Sequence, residues 1–180
     1  MATNRRTTQE AHERFNVSTF VDEINRRHRA SYRVVEEPNP PEAIIQSKTK
    51  TKWVEVASAY MNPSFAEESW SHATPGETPR PMPSKVIIGP DAQFAANFAA
   101  TVKKKLEKRS YEPFRDKYGP GYLVVSVQYP FYGRETPRFM RRAWEETQVE
   151  DRHCFRSIYL VVRRYRGYQV ILWRSARNDV

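Results

Sequence analysis

The chain has one cysteine, Cys154, in 180 residues, so no disulfide can form within it. A disulfide-stapled secreted scaffold is thereby excluded, and a cytoplasmic setting is the simplest expectation. Glycine is scarce, at 6 residues, and neither common Gly-rich phosphate loop appears. No CxxC pair is present, and the 4 histidines (His12, His28, His72 and His153) lack zinc spacing. No GxSxG elbow occurs. No apolar run approaches the roughly 18 residues of a membrane span, and no apolar segment marks a secretory signal. These gaps remove the most easily recognised enzyme and membrane classes. They leave a soluble domain with a mean hydropathy of -0.79.

What the chain does have is aromatic and basic. It carries 4 Trp, 9 Phe and 10 Tyr, enough for a substantial core, and a net charge of +9. The charge is uneven: 12 Lys and Arg face 11 Asp and Glu in residues 1–90, against 18 and 10 in residues 91–180. Such an excess suits a polyanionic partner, of which nucleic acid is the commonest, although a merely solubilising surface has the same composition. The length fits one domain over residues 1–180.

Periodicity divides the chain into elements. TTQE at Thr7–Glu10 has the form of a capping box, and Val17, Phe20, Val21 and Ile24 recur at helical spacing. A helix is expected over 8–29, broken near Asn16 and Ser18, with residues 1–17 as an arm or helix. SYRVVE reads as a strand. EAIIQS and KWVEVAS form a hairpin around SKTKT. Five prolines make 62–84 a long loop, followed by the apolar segment KVIIG. A helix with Asp91 as cap follows, bearing Phe94, Phe98 and Val102 on one face. Residues 111–121 read as a short helix or loop, and GYLVVSVQY as a buried central strand. Thr136 caps a helix that runs to about Gln148, with Pro137 at its first position. CFRSIYLVVRR and YQVILWR form a second hairpin, and SARNDV a frayed end. The expected class is α/β or α+β, a central mixed sheet flanked by helices.

Within PPEAIIQSKTKTKWVEVASAY, the hairpin carries Glu42 and Glu55 on otherwise apolar strands. Alternation puts Trp53, Glu55 and Ala57 on one face and Val54 and Val56 on the other. Glu42 and Ile44 lie opposite Ala43 and Ile45. If the register sets Glu42 beside Glu55, a hard divalent cation is the natural neutraliser of the pair. The plainer alternative pairs both glutamates with Lys48, Lys50 or Lys52.

The arrangement resembles the PD-(D/E)XK nuclease superfamily, the restriction-endonuclease-like fold. Pro41-Glu42 falls where that family has Pro-Asp, and Glu55-Val56-Ala57 at (D/E)-X-K. The resemblance implies a Mg²⁺- or Mn²⁺-dependent nuclease acting on DNA or RNA. Glu42 and Glu55 would be catalytic and metal-binding, with Glu23 of the first helix as a further metal ligand. Ala57 stands where the family has lysine. Lys105, at the edge of an apolar helix face, is the expected substitute, with Lys103, Lys104 and Lys85 beside it. A catalytically inactive nucleic-acid-binding or accessory module has the same pattern. A protein-interaction component that binds an acidic partner through the Pro-rich loop and the basic half is a third reading.

Aromatic and basic residues interleave in YPFYGR, RFMRR and RRYRGY. Lys103, Lys104, Arg163, Arg164 and Arg166 are the expected nucleic-acid contacts. Phe139, Met140, Ala143 and Trp144 read better as a core stripe. Tyr165 and Tyr168 fit binding and packing equally. Cys154 reads as a buried strand cysteine, because its neighbour His153 would point to the opposite face.

Overall fold

The computed structural model describes residues 2–81 and 88–175, with the side chains of Ala2 and Thr3 left aside. Six strands form one mixed sheet in chain order: β1 (Arg33–Glu36), β2 (Ala43–Gln46), β3 (Thr51–Tyr60), β4 (Gly121–Gln128), β5 (Phe155–Arg164) and β6 (Gly167–Ser175). β3 is parallel to β4, and β4 to β5, while β1–β2, β2–β3 and β5–β6 pair antiparallel. The class is therefore α/β with a helix-flanked mixed sheet. No described helix is long and apolar enough to cross a membrane.

The alternation expected from the hairpin determines what each face buries. Ile44, Trp53, Ala57, Leu123 and Val125 face α3 (Pro90–Leu106) and α5 (Thr136–Glu145). Ala43, Ile45, Val54, Val56 and Val124 pack on Val17, Phe20, Val21 and Ile24 of α1 (Ala2–His28). Each fully buried Val, Ile or Phe adds about 1.5–3 kcal/mol of burial energy, so these two layers hold the helices in place. Trp53, fully buried, donates its indole N–H to the Gly119 carbonyl at 2.9 Å and lies against Gly121, where a Cβ would overlap its ring.

Several boundaries differ from expectation. α1 is unbroken and starts at Ala2, so Thr7 lies inside it and does not open a capping box, and the neighbouring Thr8 hydroxyl donates to the Asn4 carbonyl at 3.0 Å. Asn16 is helical as well, with its side-chain amide donating to the His12 carbonyl at 2.8 Å. The stretch expected as a loop holds α2 (Pro63–Ala73), whose N-cap Asn62 accepts from the Phe65 N–H at 2.8 Å. The remainder of that stretch to Ser84, together with Lys85 and most of KVIIG, includes residues outside those described, as does SARNDV beyond Ser175.

Asp91 does not cap α3, whose N-cap is Gly89 at φ 63°. Asp91 accepts from the Thr136 hydroxyl at 2.7 Å instead, which ties α3 to the start of α5. Thr136 is accordingly the first residue of α5 and not its cap, and α5 ends at Glu145. A short 3-10 turn (Arg109–Tyr111) and α4 (Glu112–Tyr118) connect α3 to β4.

Candidate active site

β2 begins at Ala43, paired with Val54, and continuing that register by one step sets Glu42 opposite Glu55. Beyond this point β3 runs on to Tyr60 without β2 beside it. A cleft of about 570 Å³ opens there between α1, β3, α2 and α3. Glu42, Glu55, Glu13, Lys104, Lys105 and Lys108 all line it.

Glu55 sits on the α3 side of β3 and is 1% exposed. Its Oε1 accepts from the Lys105 ammonium and from the Tyr111 hydroxyl, the latter at 2.6 Å. Its Oε2 is buried and has no hydrogen-bond partner, and the same holds for Oε2 of Glu42. Leaving a buried carboxylate oxygen unpaired is costly, so two such atoms in one cleft are more than packing requires. Burial, followed by the charges of Glu55 and Glu13, pushes the Glu42 carboxyl up to about 8. Burial and the charge of Glu55 also raise Glu13. Burial and Glu55 raise the Tyr111 phenol, which keeps its proton as a donor.

Lys105 comes from α3, three and seven residues after the core positions Val102 and Phe98, and its chain skirts the apolar face to reach β3. The cation absent at Ala57 is thus present beside Glu55 from another element. Lys104 and Lys108 extend the positive wall of the cleft. Lys108 also lies 5.0 Å from the centroid of the Tyr111 ring. The opposite wall holds His12, whose Nε2 is 3.2 Å from Ser58 Oγ, and Trp70 of α2, edge-on to His12 at 5.6 Å. Burial lowers the His12 pKa.

Other expected site residues lie elsewhere. Glu23 is not in the cleft. Arg26 and Arg27 both bond it, holding its carboxyl down at about 2, and Arg27 also donates to the Val170 carbonyl of β6. Glu23 lies instead with Arg26, Arg27 and Val170, committed to two guanidinium groups, and does not join Glu42 and Glu55. Glu13 is the α1 carboxylate that lines the cleft with the pair, and its Oε1 accepts from the Gln9 amide at 2.9 Å. Lys103 pairs with Glu107 at 3.7 Å and does not line the cleft.

Arg163, Arg164 and Arg166 flank the exposed β5–β6 turn, where Arg164 stacks on Tyr132 at 5.0 Å. Tyr165 in that turn is fully exposed, whereas Tyr168 meets Phe15 edge-on at 4.7 Å. Met140 is buried as the core stripe requires, although Phe139 remains 39% exposed. Cys154 is buried with its thiol 3.6 Å from the Arg152 carbonyl. Neither glutamate of the hairpin pairs with Lys48, Lys50 or Lys52.

Among the described residues no group of three or more His, Cys, Asp or Glu side chains is placed to hold a metal ion. The Glu42–Glu55 pair with its two unpartnered oxygens nevertheless suits Mg²⁺, which keeps most of its waters and needs only one or two carboxylates. Comparison with protein families, with characterised proteins and with solved structures finds no match to this chain.

Proposed function

We propose that the cleft is the active site of a metal-dependent phosphodiester hydrolase acting on DNA or RNA. The observation that carries this reading is the convergence of Lys105 and Tyr111 on the buried Glu55, opposite Glu42. The element order helix, strands, helix, strand and the Pro41-Glu42 and Glu55 positions are those of the PD-(D/E)XK resemblance.

Glu42 and Glu55 would hold Mg²⁺ or Mn²⁺ through their free oxygens, with Glu13 beside them. The metal supplies a more acidic bound water and neutralises charge on the phosphate. Lys105 contributes a donor next to that position, able to orient the attacking water or to stabilise phosphate charge. Tyr111 and Lys105 together fix the Glu55 carboxylate. Lys104 and Lys108 offer cations to the flanking phosphates.

A second reading has its own support. Lys105 already neutralises Glu55, and no three-ligand metal group is present among the described residues, as a non-cleaving nucleic-acid-binding module would have it. Cleavage of DNA and RNA with Mg²⁺ or Mn²⁺, wild type against Glu55→Ala, separates the two. The nuclease reading expects metal-dependent cleavage that falls at least about 100-fold in the variant. Salt-sensitive binding with no cleavage by either protein supports the module and ends the nuclease reading.

A further inference from the structure

At the other end of β3 the fold gathers a different set of charges. The C-terminus of α1 brings His28 and Arg29, the β2–β3 turn brings Lys48 and Lys50, β3 brings Lys52, and β5 brings Arg156. They line a hollow of about 610 Å³ that contains no aspartate or glutamate among its described residues. None of these six side chains forms an ion pair with a described residue.

Most cations elsewhere on α1 and α3 are treated differently, Arg5 and Lys104 excepted. Arg6 pairs with Glu10, Arg14 with Glu37, Arg26 and Arg27 with Glu23, and Lys103 with Glu107. A solvated basic surface does not require the pattern in the hollow, because three separate chain segments, at residues 28–29, 48–52 and 156, converge on one concavity. The helix dipole favours only His28, which ends α1, and Arg29 directly after it; it has no bearing on Lys48, Lys50, Lys52 or Arg156. Lys52 is half-buried, and burial, then Arg156, then Lys50 lower its pKa, so the cations of the hollow act on one another without an acid between them.

The rest of the lining matches the charges. Tyr122 and Tyr159 supply aromatic walls, and Ser31, Ser47 and Thr49 supply hydroxyls. Arg, Lys and hydroxyl donors around a concavity are the groups that contact phosphate oxygens, and the volume falls in the range of ligand sites.

We infer that this hollow is a second binding site, separate from the cleft, that takes a phosphate-bearing ligand. The phosphates belong either to the backbone of a nucleic-acid strand or to a free nucleotide, and the recognition chemistry is the same for both. The inference does not depend on cleavage in the cleft. Glu13 at the cleft and His28 at the hollow are fifteen residues apart on α1, roughly 22 Å, so neither site occupies the other.

The test uses the whole chain in chelator-containing low-salt buffer. A fluorescein-labelled single-stranded oligonucleotide is followed by anisotropy, and a nucleoside triphosphate and inorganic pyrophosphate by calorimetry. The double variant Lys52→Ala/Arg156→Ala is compared with Arg138→Ala/Arg142→Ala. The control pair removes the same charge from cations of α5 that pair with Glu135 and Glu146.

The expected result is salt-sensitive binding that weakens at least about tenfold in the hollow variant and less than about threefold in the control. Loss for the triphosphate and pyrophosphate assigns a free nucleotide, and loss for the oligonucleotide alone assigns a strand. Equal weakening in both variants, or no binding of any of the three probes to the wild type, overturns the inference. Circular dichroism melts of both variants check that each is folded. Failure of cleavage with retained, hollow-dependent binding would leave this site standing while removing the nuclease reading.

Discussion

At the C-terminal half of β3 the cleft buries carboxylates and brings a lysine to one of them, whereas at the N-terminal end the hollow collects cations and brings them no acid. The two sites lie on one strand and share one helix, α1, so local sequence context does not explain the contrast. Burial explains part of it. Glu55 is 1% exposed, and a charge that deep must be paired or hydrogen-bonded. The cations of the hollow are exposed, apart from the half-buried Lys52, and water and salt screen them. The cleft is therefore a self-contained polar network with unfilled acceptor positions. The hollow is an unfilled set of donors. The two sites are thus opposite in character, with unpartnered acceptors in one and unpaired cations in the other.

The largest effect should come from breaking the internal pair. Lys105→Ala leaves Glu55 buried with Tyr111 as its one remaining partner. The loss is expected at about 3 kcal/mol, the lower end for a broken buried pair because the Lys105 side chain is 23% exposed. Urea unfolding measures it. Adding Glu55→Leu to that variant should restore most of the stability, since the stranded charge is then gone. A single variant as stable as wild type would mean that the pair is not what accommodates Glu55.

Next in size is a pH effect confined to the cleft. The folded-state pKa of Glu42 is raised from 4.5 to about 8, so the folded chain holds that proton more tightly than the unfolded one. Its contribution is fully present below pH 4.5 and is lost as the pH rises toward 8. Glu42→Gln in metal-free buffer should match wild type at pH 4. At pH 8.5 it should exceed it by about 2 kcal/mol, a figure discounted for the partial exposure of Glu42. Glu13 shifts in the same direction and leaves a residual slope; the Gln9 hydrogen bond and then Lys105 oppose the shift of Glu13, and Lys105 and Lys108 oppose that of Glu42. Parallel stability–pH curves for the two proteins would remove the electrostatic account of the cleft. Tyr111→Phe keeps the ring against Trp53 and Phe155 and removes one hydrogen bond to a carboxylate, for about 1.5 kcal/mol.

How far these regions were legible in the sequence follows the same division. Period-two alternation placed Trp53 and Ala57 on one face and Val54 and Val56 on the other, as the two cores have them. Turn length set Glu42 against Glu55, and the apolar face of α3 pointed to Lys105. Glu13 was equally readable: it precedes Val17 by four residues and so extends the buried stripe of α1 by one turn, whereas Glu23 falls off that stripe. The prolines of 62–84 obscured α2, although Asn62-Pro63 is a cap followed by a favoured first helical residue. Tyr111 carried no local signal, because a 3-10 turn has no long periodicity and its partner is 56 residues away. The hollow was hidden by averaging. Residues 1–90 are nearly neutral in sum, and only the fold sends Arg29, Lys48, Lys50 and Lys52 to one end of β3 and Glu13, Glu42 and Glu55 to the cleft.

The smallest expected effect is the most direct test of the contrast. Removing a cation from the cleft destabilises the chain, because an acid loses its partner. Removing one from the hollow should do the reverse. Lys52 sits near Arg156 and Lys50 with no acid to attract it, so Lys52→Ala relieves repulsion and partial desolvation together. The opposing loss is the packing of its aliphatic stem. The net change should be a gain of a few tenths of a kcal/mol at low salt, within the usual range for surface substitutions. The gain should shrink as salt screens the repulsion. Saturating pyrophosphate should reverse the order, since a bound anion stabilises the wild type by mass action and the variant less. Thermal melts at low salt, at high salt and with pyrophosphate give all three comparisons. A Lys52→Ala variant that is destabilised under every condition would show that Lys52 is held by interactions of its own. The hollow would then be an ordinary part of the surface, and the opposition between the two ends of β3 would fail.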